Sequence, residues 1–209
     1  AVRELPFHIL LNAFQRHSSG LREIYILAPT FNRTKHFHDI LRALHRANPG
    51  IRLHTEMRAD TIDAPTASLL RNAGFASLEI GLQTLTPEAL ANINRHTDPY
   101  QELEGMKHLR DVGIDLKIGI IPGLPGDTPQ DFMKTVETLV AHDFARFIEL
   151  YPLMILPGTR MRDTADKKMV SYLQKPPYYF LHGWGFNEQD IAAFSSVLEE
   201  MTGYCATQN

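Results

Sequence analysis

Strand-like segments alternate with helix-like ones as far as Leu153, and this alternation limits the fold more than any other feature of the chain. The strands are read at 23–27, 51–57, 77–82, 115–121 and 146–153. Helical spacing is read at 5–17, 35–47, 65–72, 86–94, 98–112 and 129–142. Asn48-Pro49-Gly50, Gly74 and Gly113 are stop signals, while Thr86-Pro87 and Thr128-Pro129 are starts with a hydroxyl cap and proline in the first turn. Repeated β-α units predict parallel strands joined by helical crossovers. After Pro157 the alternation stops. An aromatic, proline-rich tail follows, and a last amphipathic helix at 188–201 is expected to pack on the outside.

The strands have unlike faces. Side chains alternate along a strand, so Ile51, Leu53, Thr55 and Met57 oppose Arg52, His54, Glu56 and Arg58. The next strand sets Leu78, Ile80 and Leu82 against Ser77, Glu79, Gly81 and Gln83. The fourth sets Leu116, Ile118 and Ile120 against Asp115, Lys117 and Gly119, and the fifth sets Ile148 and Leu150 against Glu149 and Tyr151. A doubly wound sheet, covered by helices on both sides, would be apolar on both. One polar face repeated over several strands predicts a barrel lined to hold a polar ligand. Ligands in such folds bind at the carboxyl-terminal strand ends, where Glu56, Arg58, Gln83, Gly119 and Tyr151 fall.

Composition removes several classes. The net charge of −3 gives no electrostatic case for nucleic acid or a membrane surface. A single cysteine, Cys205, excludes a disulfide framework within the chain and makes the cytoplasm the expected compartment. Ten histidines invite a metal reading, but only His36-x-His38 and His54-x-Glu56 are closely spaced, and zinc or iron sites need three or four converging ligands. No metal ligands are assigned. The glycines of Pro122-Gly123-Leu124-Pro125-Gly126 do not follow a dinucleotide fingerprint.

Five segments, in order, carry a resemblance. They are His54-Thr55-Glu56-Met57-Arg58-Ala59-Asp60, Glu79-Ile80-Gly81-Leu82-Gln83-Thr84, Ile93-Asn94-Arg95, Gly123-Leu124-Pro125-Gly126-Asp127-Thr128 and Leu156-Pro157-Gly158-Thr159. Together they resemble radical S-adenosylmethionine enzymes, most closely the iron–sulfur oxidoreductases that often follow a cobalamin-binding domain. The resemblance implies a partial (β/α)6 TIM-like barrel over 1–175 that lacks its first strand, with a carboxyl-terminal extension over 176–209. It implies S-adenosylmethionine and a [4Fe–4S] cluster as cofactors, with a small-molecule substrate. An upstream cobalamin domain is the expected partner. The cofactors carry the radical chemistry and the protein positions and shields them.

By the same resemblance, Glu56 contacts S-adenosylmethionine, Gln83 bonds its ribose hydroxyls and Arg95 pairs with its methionine carboxylate. Gly119, Ile120 and Ile121 lie beside the adenine and ribose, and Arg58 is a second candidate for the carboxylate or a structural partner of Asp60. Relatives often carry aspartate where this chain has Ala28, and a polar residue where it has Gly119. The family holds its cluster through C-x3-C-x2-C, and these 209 residues contain no such motif. Val2-Arg3-Glu4-Leu5 resembles sequence shortly after that loop. The expectation is a fragment of a longer enzyme, inactive by itself; a degenerate barrel that only binds is the other reading. An aldolase-like barrel with Lys117 as Schiff-base nucleophile is the rival enzyme class. No catalytic residue is assigned.

Overall fold

The computed structural model describes residues 6–17, 19–165 and 169–204. Ala1–Leu5 and Cys205 lie outside the described residues, and with them the start of the first expected helix. The observed order is α1 (Phe7–His17), β1 (Glu23–Ile26), α2 (Phe37–Ala47), β2 (Arg52–Met57), α3 (Ala64–Ala73), β3 (Phe75–Gln83), α4 (Pro87–Asn92), α5 (Pro99–Asp111), β4 (Asp115–Ile120), α6 (Pro129–Ala141) and β5 (Ile148–Leu150). The five strands form one sheet in chain order, β1-β2-β3-β4-β5. Its pairs β1–β2, β2–β3 and β4–β5 are parallel. Parallel neighbours in sequence order are what repeated β-α units produce.

The chain divides into two compact units. One holds the described residues up to Gly81 together with Gln101–Lys117, the other Leu82–Tyr100 together with the described residues from Ile118 onward. In the first unit, α2 buries Phe37, Ile40, Leu41 and Leu44. Phe31 lies between Phe37 and Phe75, each ring centroid 5.7 Å away. Asn48 ties the turn after α2 to the end of α3, its amide donating to the Ile51 and Ala73 carbonyls at 2.9 Å. Gly74 closes α3 in the left-handed region (φ 100°), where a Cβ would also strike the Asn48 amide.

In the second unit Phe132 of α6 packs on Phe194 of α8 (Glu188–Thr202), with centroids 4.5 Å apart. This pair explains why the last helix is amphipathic. Three details differ from the sequence reading. The strand expected at 146–153 is only β5, because Ala145–Phe147 form a 3-10 turn. Beyond Pro157, read only as the end of the alternation and an aromatic, proline-rich tail, α7 (Arg160–Thr164) precedes an antiparallel pair, β6 (Ser171–Tyr172) and β7 (Phe180–His182). Two- and three-residue strands carry too few positions for a period to be read. Finally, Thr128 caps α6 by accepting from the Asp131 N–H, but Thr86 does not cap α4. The Thr86 hydroxyl donates instead to Asp127 at 2.8 Å.

Candidate functional site

The predicted split of the strands is present in β2 and β3, but in β5 Leu150 is partly exposed like Glu149, and Gly119 on the polar side of β4 is buried. Along β2, Leu53, Thr55 and Met57 are buried while His54 and Glu56 are partly exposed, and β3 shows the same alternation from Leu78 to Gln83. On the polar side of the first unit, His54 Nδ1 lies 2.6 Å from the Ser77 hydroxyl. The Tyr25 hydroxyl donates to Glu79 at 3.4 Å, and the Tyr25 ring stacks on His54 with centroids 6.3 Å apart. Glu56 stands opposite Glu79 in the β2–β3 register. Burial first, and then the Glu79 carboxylate, push the Glu56 carboxyl above the usual glutamate range. Register against β3 was the missing knowledge that hid this pair in the sequence.

Two residues beyond Glu56 the chain turns, and here Arg58 is already engaged. Its Nη2 donates to Asp60 at 2.6 Å, and its Nε is 3.7 Å from Glu102 of α5. Arg33 reaches the same Asp60 oxygen at 3.1 Å. Of the two places offered to Arg58 by the sequence, the structure supports the partnership with Asp60. Glu102 was missed altogether. A glutamate in a first helical turn reads as a complement to the helix dipole, and nothing local reveals that tertiary packing buries it completely.

In the second unit β3 ends at Gln83, whose backbone is left-handed (φ 75°), an uncommon setting for a residue with a side chain. Its carbonyl accepts the Ile121 N–H at 2.9 Å, and the Ile120 carbonyl accepts the Tyr151 N–H at 2.9 Å. Gly119 pairs with Glu149, which accepts from the Tyr151 hydroxyl at 2.7 Å. The structure therefore brings Gln83, Gly119, Ile120 and Ile121 together at the ends of adjacent strands. Arg95 follows α4, its N–H bonded to the Leu90 carbonyl at 2.8 Å and its Nε buried. The Gln83 Oε1 is also buried, and no hydrogen-bond donor among the described residues reaches it. Such an oxygen suits a ligand hydroxyl, since a buried acceptor left unmet costs about 1–3 kcal/mol.

Asp127, in the Gly123–Thr128 segment, is buried. It accepts from the Thr86 hydroxyl and from the Thr128 N–H at 3.2 Å. Burial raises its carboxyl above the usual aspartate range, although the Thr86 and Thr84 hydroxyls pull the other way. It ties the loop before α6 to Thr86. Lys117 is exposed on β4 and lacks the desolvation that activates a Schiff-base lysine. No group of three or more potential metal ligands occurs among the described residues. His38 is instead 3.1 Å from the Thr66 hydroxyl. No described helix is long and apolar enough to cross a membrane.

The Gln83 amide oxygen has the chemistry to accept a ligand hydroxyl, and a guanidinium such as that of Arg95 has the chemistry to pair with a carboxylate. A [4Fe–4S] cluster does not fit these residues, because it needs several thiolates and the chain has one cysteine. The family model of the Radical SAM superfamily matches residues 3–139, and the chain belongs to that superfamily. An uncharacterized methyltransferase of Pyrococcus horikoshii is 24% identical over 149 residues, covering 70% of this chain and 32% of its own length. Heme chaperone HemW of Bacillus subtilis is 23% identical over 150 residues, 71% of this chain and 36% of its own. The chain thus spans about a third of the length of these relatives. The structure of the radical S-adenosylmethionine methyltransferase TsrM from Kitasatospora setae, with cobalamin and a [4Fe–4S] cluster bound, matches with a TM-score of 0.69 at 18% identity, over 84% of this chain and 38% of that one. Coproporphyrinogen III oxidase HemN from Escherichia coli matches with the same score and identity over 95% of this chain and 46% of its own. These likenesses establish the α/β fold of a radical S-adenosylmethionine barrel. The superfamily uses S-adenosylmethionine and a [4Fe–4S] cluster.

Proposed function

We propose that this chain supplies S-adenosylmethionine-binding residues to a radical S-adenosylmethionine enzyme, whose cluster thiolates come from residues other than these 209. The reading rests above all on the buried amide oxygen of Gln83, which the protein leaves for a ligand at the end of β3. Gln83 accepts a ribose hydroxyl. Arg95 pairs with the methionine carboxylate, where its planar fork matches two oxygens. Ile120 and Ile121 flank the adenine, and Gly119, beside the ribose, offers backbone alone. Glu56 contacts the cofactor from β2. Arg58 serves as a structural partner of Asp60 and Glu102 and not as a ligand. When bound, S-adenosylmethionine supplies a sulfonium whose one-electron cleavage yields a 5′-deoxyadenosyl radical. No step through the cluster is derived from this chain.

The whole enzyme then abstracts hydrogen from a small-molecule substrate or transfers a methyl or sulfur group, in the cytoplasm. A cobalamin domain is a partner consistent with the cobalamin bound by TsrM. The barrel is assigned to 1–175 and the extension to 176–209. Calorimetric titration of S-adenosylmethionine into this chain tests the reading. Gln83→Ala and Arg95→Met are each expected to weaken binding about tenfold, the loss of one good polar contact. Undetectable binding by the parent chain, or affinities that neither substitution changes, would remove the proposal.

A further inference from the structure

Among the described residues only two carboxylates are buried, Glu102 and Asp127, and Glu102 is wholly inaccessible. Its Oε2 accepts the Ala59 N–H at 2.7 Å and the Asp60 N–H at 3.1 Å. Its Oε1 faces Arg58 at 3.7 Å. From the other side Asn32 accepts the Arg58 N–H at 3.1 Å and donates to the Arg58 carbonyl at 2.7 Å. One helical turn after Glu102, Gly105 lets α5 approach so closely that any Cβ there would run into the Ala59 carbonyl. The turn at 58–60 is therefore built by side chains from two other segments. Arg33, Arg58, Asp60 and Glu102 together carry no net charge. Burying a carboxylate is costly, and a packing role alone would be filled as well by an apolar side chain.

What this turn carries is Glu56, on the same strand face as Arg58 and two residues before it. We propose that Glu102 is a positioning residue for the cofactor site: it fixes the turn after β2 and holds the Arg58 guanidinium against Asp60, away from Glu56 and from any ligand carboxylate. This rests on the reading that Glu56 contacts S-adenosylmethionine. The other groups around Glu56 are Glu79 of β3, with Tyr25 of β1 and His54 of β2 beyond it. The polar face of this unit also carries a cation, Lys117 of β4, one strand beyond Glu79.

Glu102→Gln keeps the shape and deletes the charge, leaving Arg58 in excess beside Glu56. In the folded variant, the Glu56 carboxyl titration followed by carbon-13 NMR is expected to fall by about one pH unit. S-adenosylmethionine affinity by calorimetry is expected to fall about tenfold. Adding Arg58→Met should restore the Glu56 titration. Glu104→Gln, a charge deletion on the exposed side of α5, should move neither quantity. A folded Glu102→Gln protein with unchanged Glu56 titration overturns the proposal. If that variant does not fold, Asp60→Asn releases the same guanidinium from the opposite side and is judged by the same titration. If Glu56→Gln leaves cofactor affinity unchanged, the cofactor reading of Glu56 fails, while the titration still decides whether Glu102 governs Glu56.

Discussion

The ends of β2 and β3 handle their polar groups in opposite ways. After β2, Arg33 and Arg58 face Asp60 and Glu102, so the charges balance, and Glu102 accepts two N–H groups of the turn, although the buried Arg58 Nε, 3.7 Å from Glu102, makes no hydrogen bond among the described residues. After β3, Gln83 adopts a left-handed backbone, spends its carbonyl on Ile121 and leaves its buried amide oxygen without a donor. Both ends carry side chains that family resemblance offers as cofactor ligands, but at the first most polar groups already face a protein partner, while at the second a buried acceptor is left without a donor. A closed network holds a neighbour in place, whereas an unmet acceptor invites a ligand. Polarity at a strand end therefore does not by itself mark a contact.

Breaking the closed end should cost the most. Glu102→Ala leaves two N–H groups of the turn unmet and takes from Arg58 one of its two carboxylates, and is expected to lower unfolding free energy by about 4 kcal/mol in urea titration. An effect below about 1 kcal/mol would show that the network is not closed in solution. Gly105→Ala forces α5 off the same turn and should cost about 2–3 kcal/mol by the same measurement.

Asp127 offers an intermediate case, buried like Glu102 but bonded to a hydroxyl and a backbone N–H. Asp127→Ala leaves the Thr86 hydroxyl and Thr128 N–H unmet, at about 2 kcal/mol. Asp127→Asn keeps an acceptor and should be nearly neutral. Its raised folded value means the native state holds the proton more tightly than the unfolded chain does. That contribution is complete below the ordinary aspartate value and is lost as pH rises through the folded one. Stability measured across this window should fall with pH in the parent protein and less in Asp127→Asn. Equal slopes would remove the explanation. The smallest stability effect is expected at the open end. Gln83→Gly relieves a left-handed side-chain residue and should gain about 1 kcal/mol or less, while weakening S-adenosylmethionine binding. A clear loss of stability would mean that the Gln83 amide is structural.

Much of the fold was legible because burial imposes a period on sequence. The two faces of β2 and β3 could be read from their alternation, and helix ends such as Gly74 from the conformations glycine permits. Gln83 and Glu56 were singled out because residue type, strand-end position and family resemblance agreed. The pairing of Arg58 with Asp60 was among the sequence readings, but the contacts of Glu102 were hidden, since it lies 43 residues beyond the backbone N–H it accepts. Thr86 misled because its hydroxyl can serve either its own helix or a carboxylate brought close by folding, and Asp127 is the partner.

By itself the sequence determined the β-α order, the polar face and the superfamily, all of which depend on spacing along the chain. Tertiary structure alone decided which polar groups are already paired and which remain open to a ligand. Hydrogen bonding and charge compensation act over a few ångströms between segments far apart in the chain, so no local pattern records them.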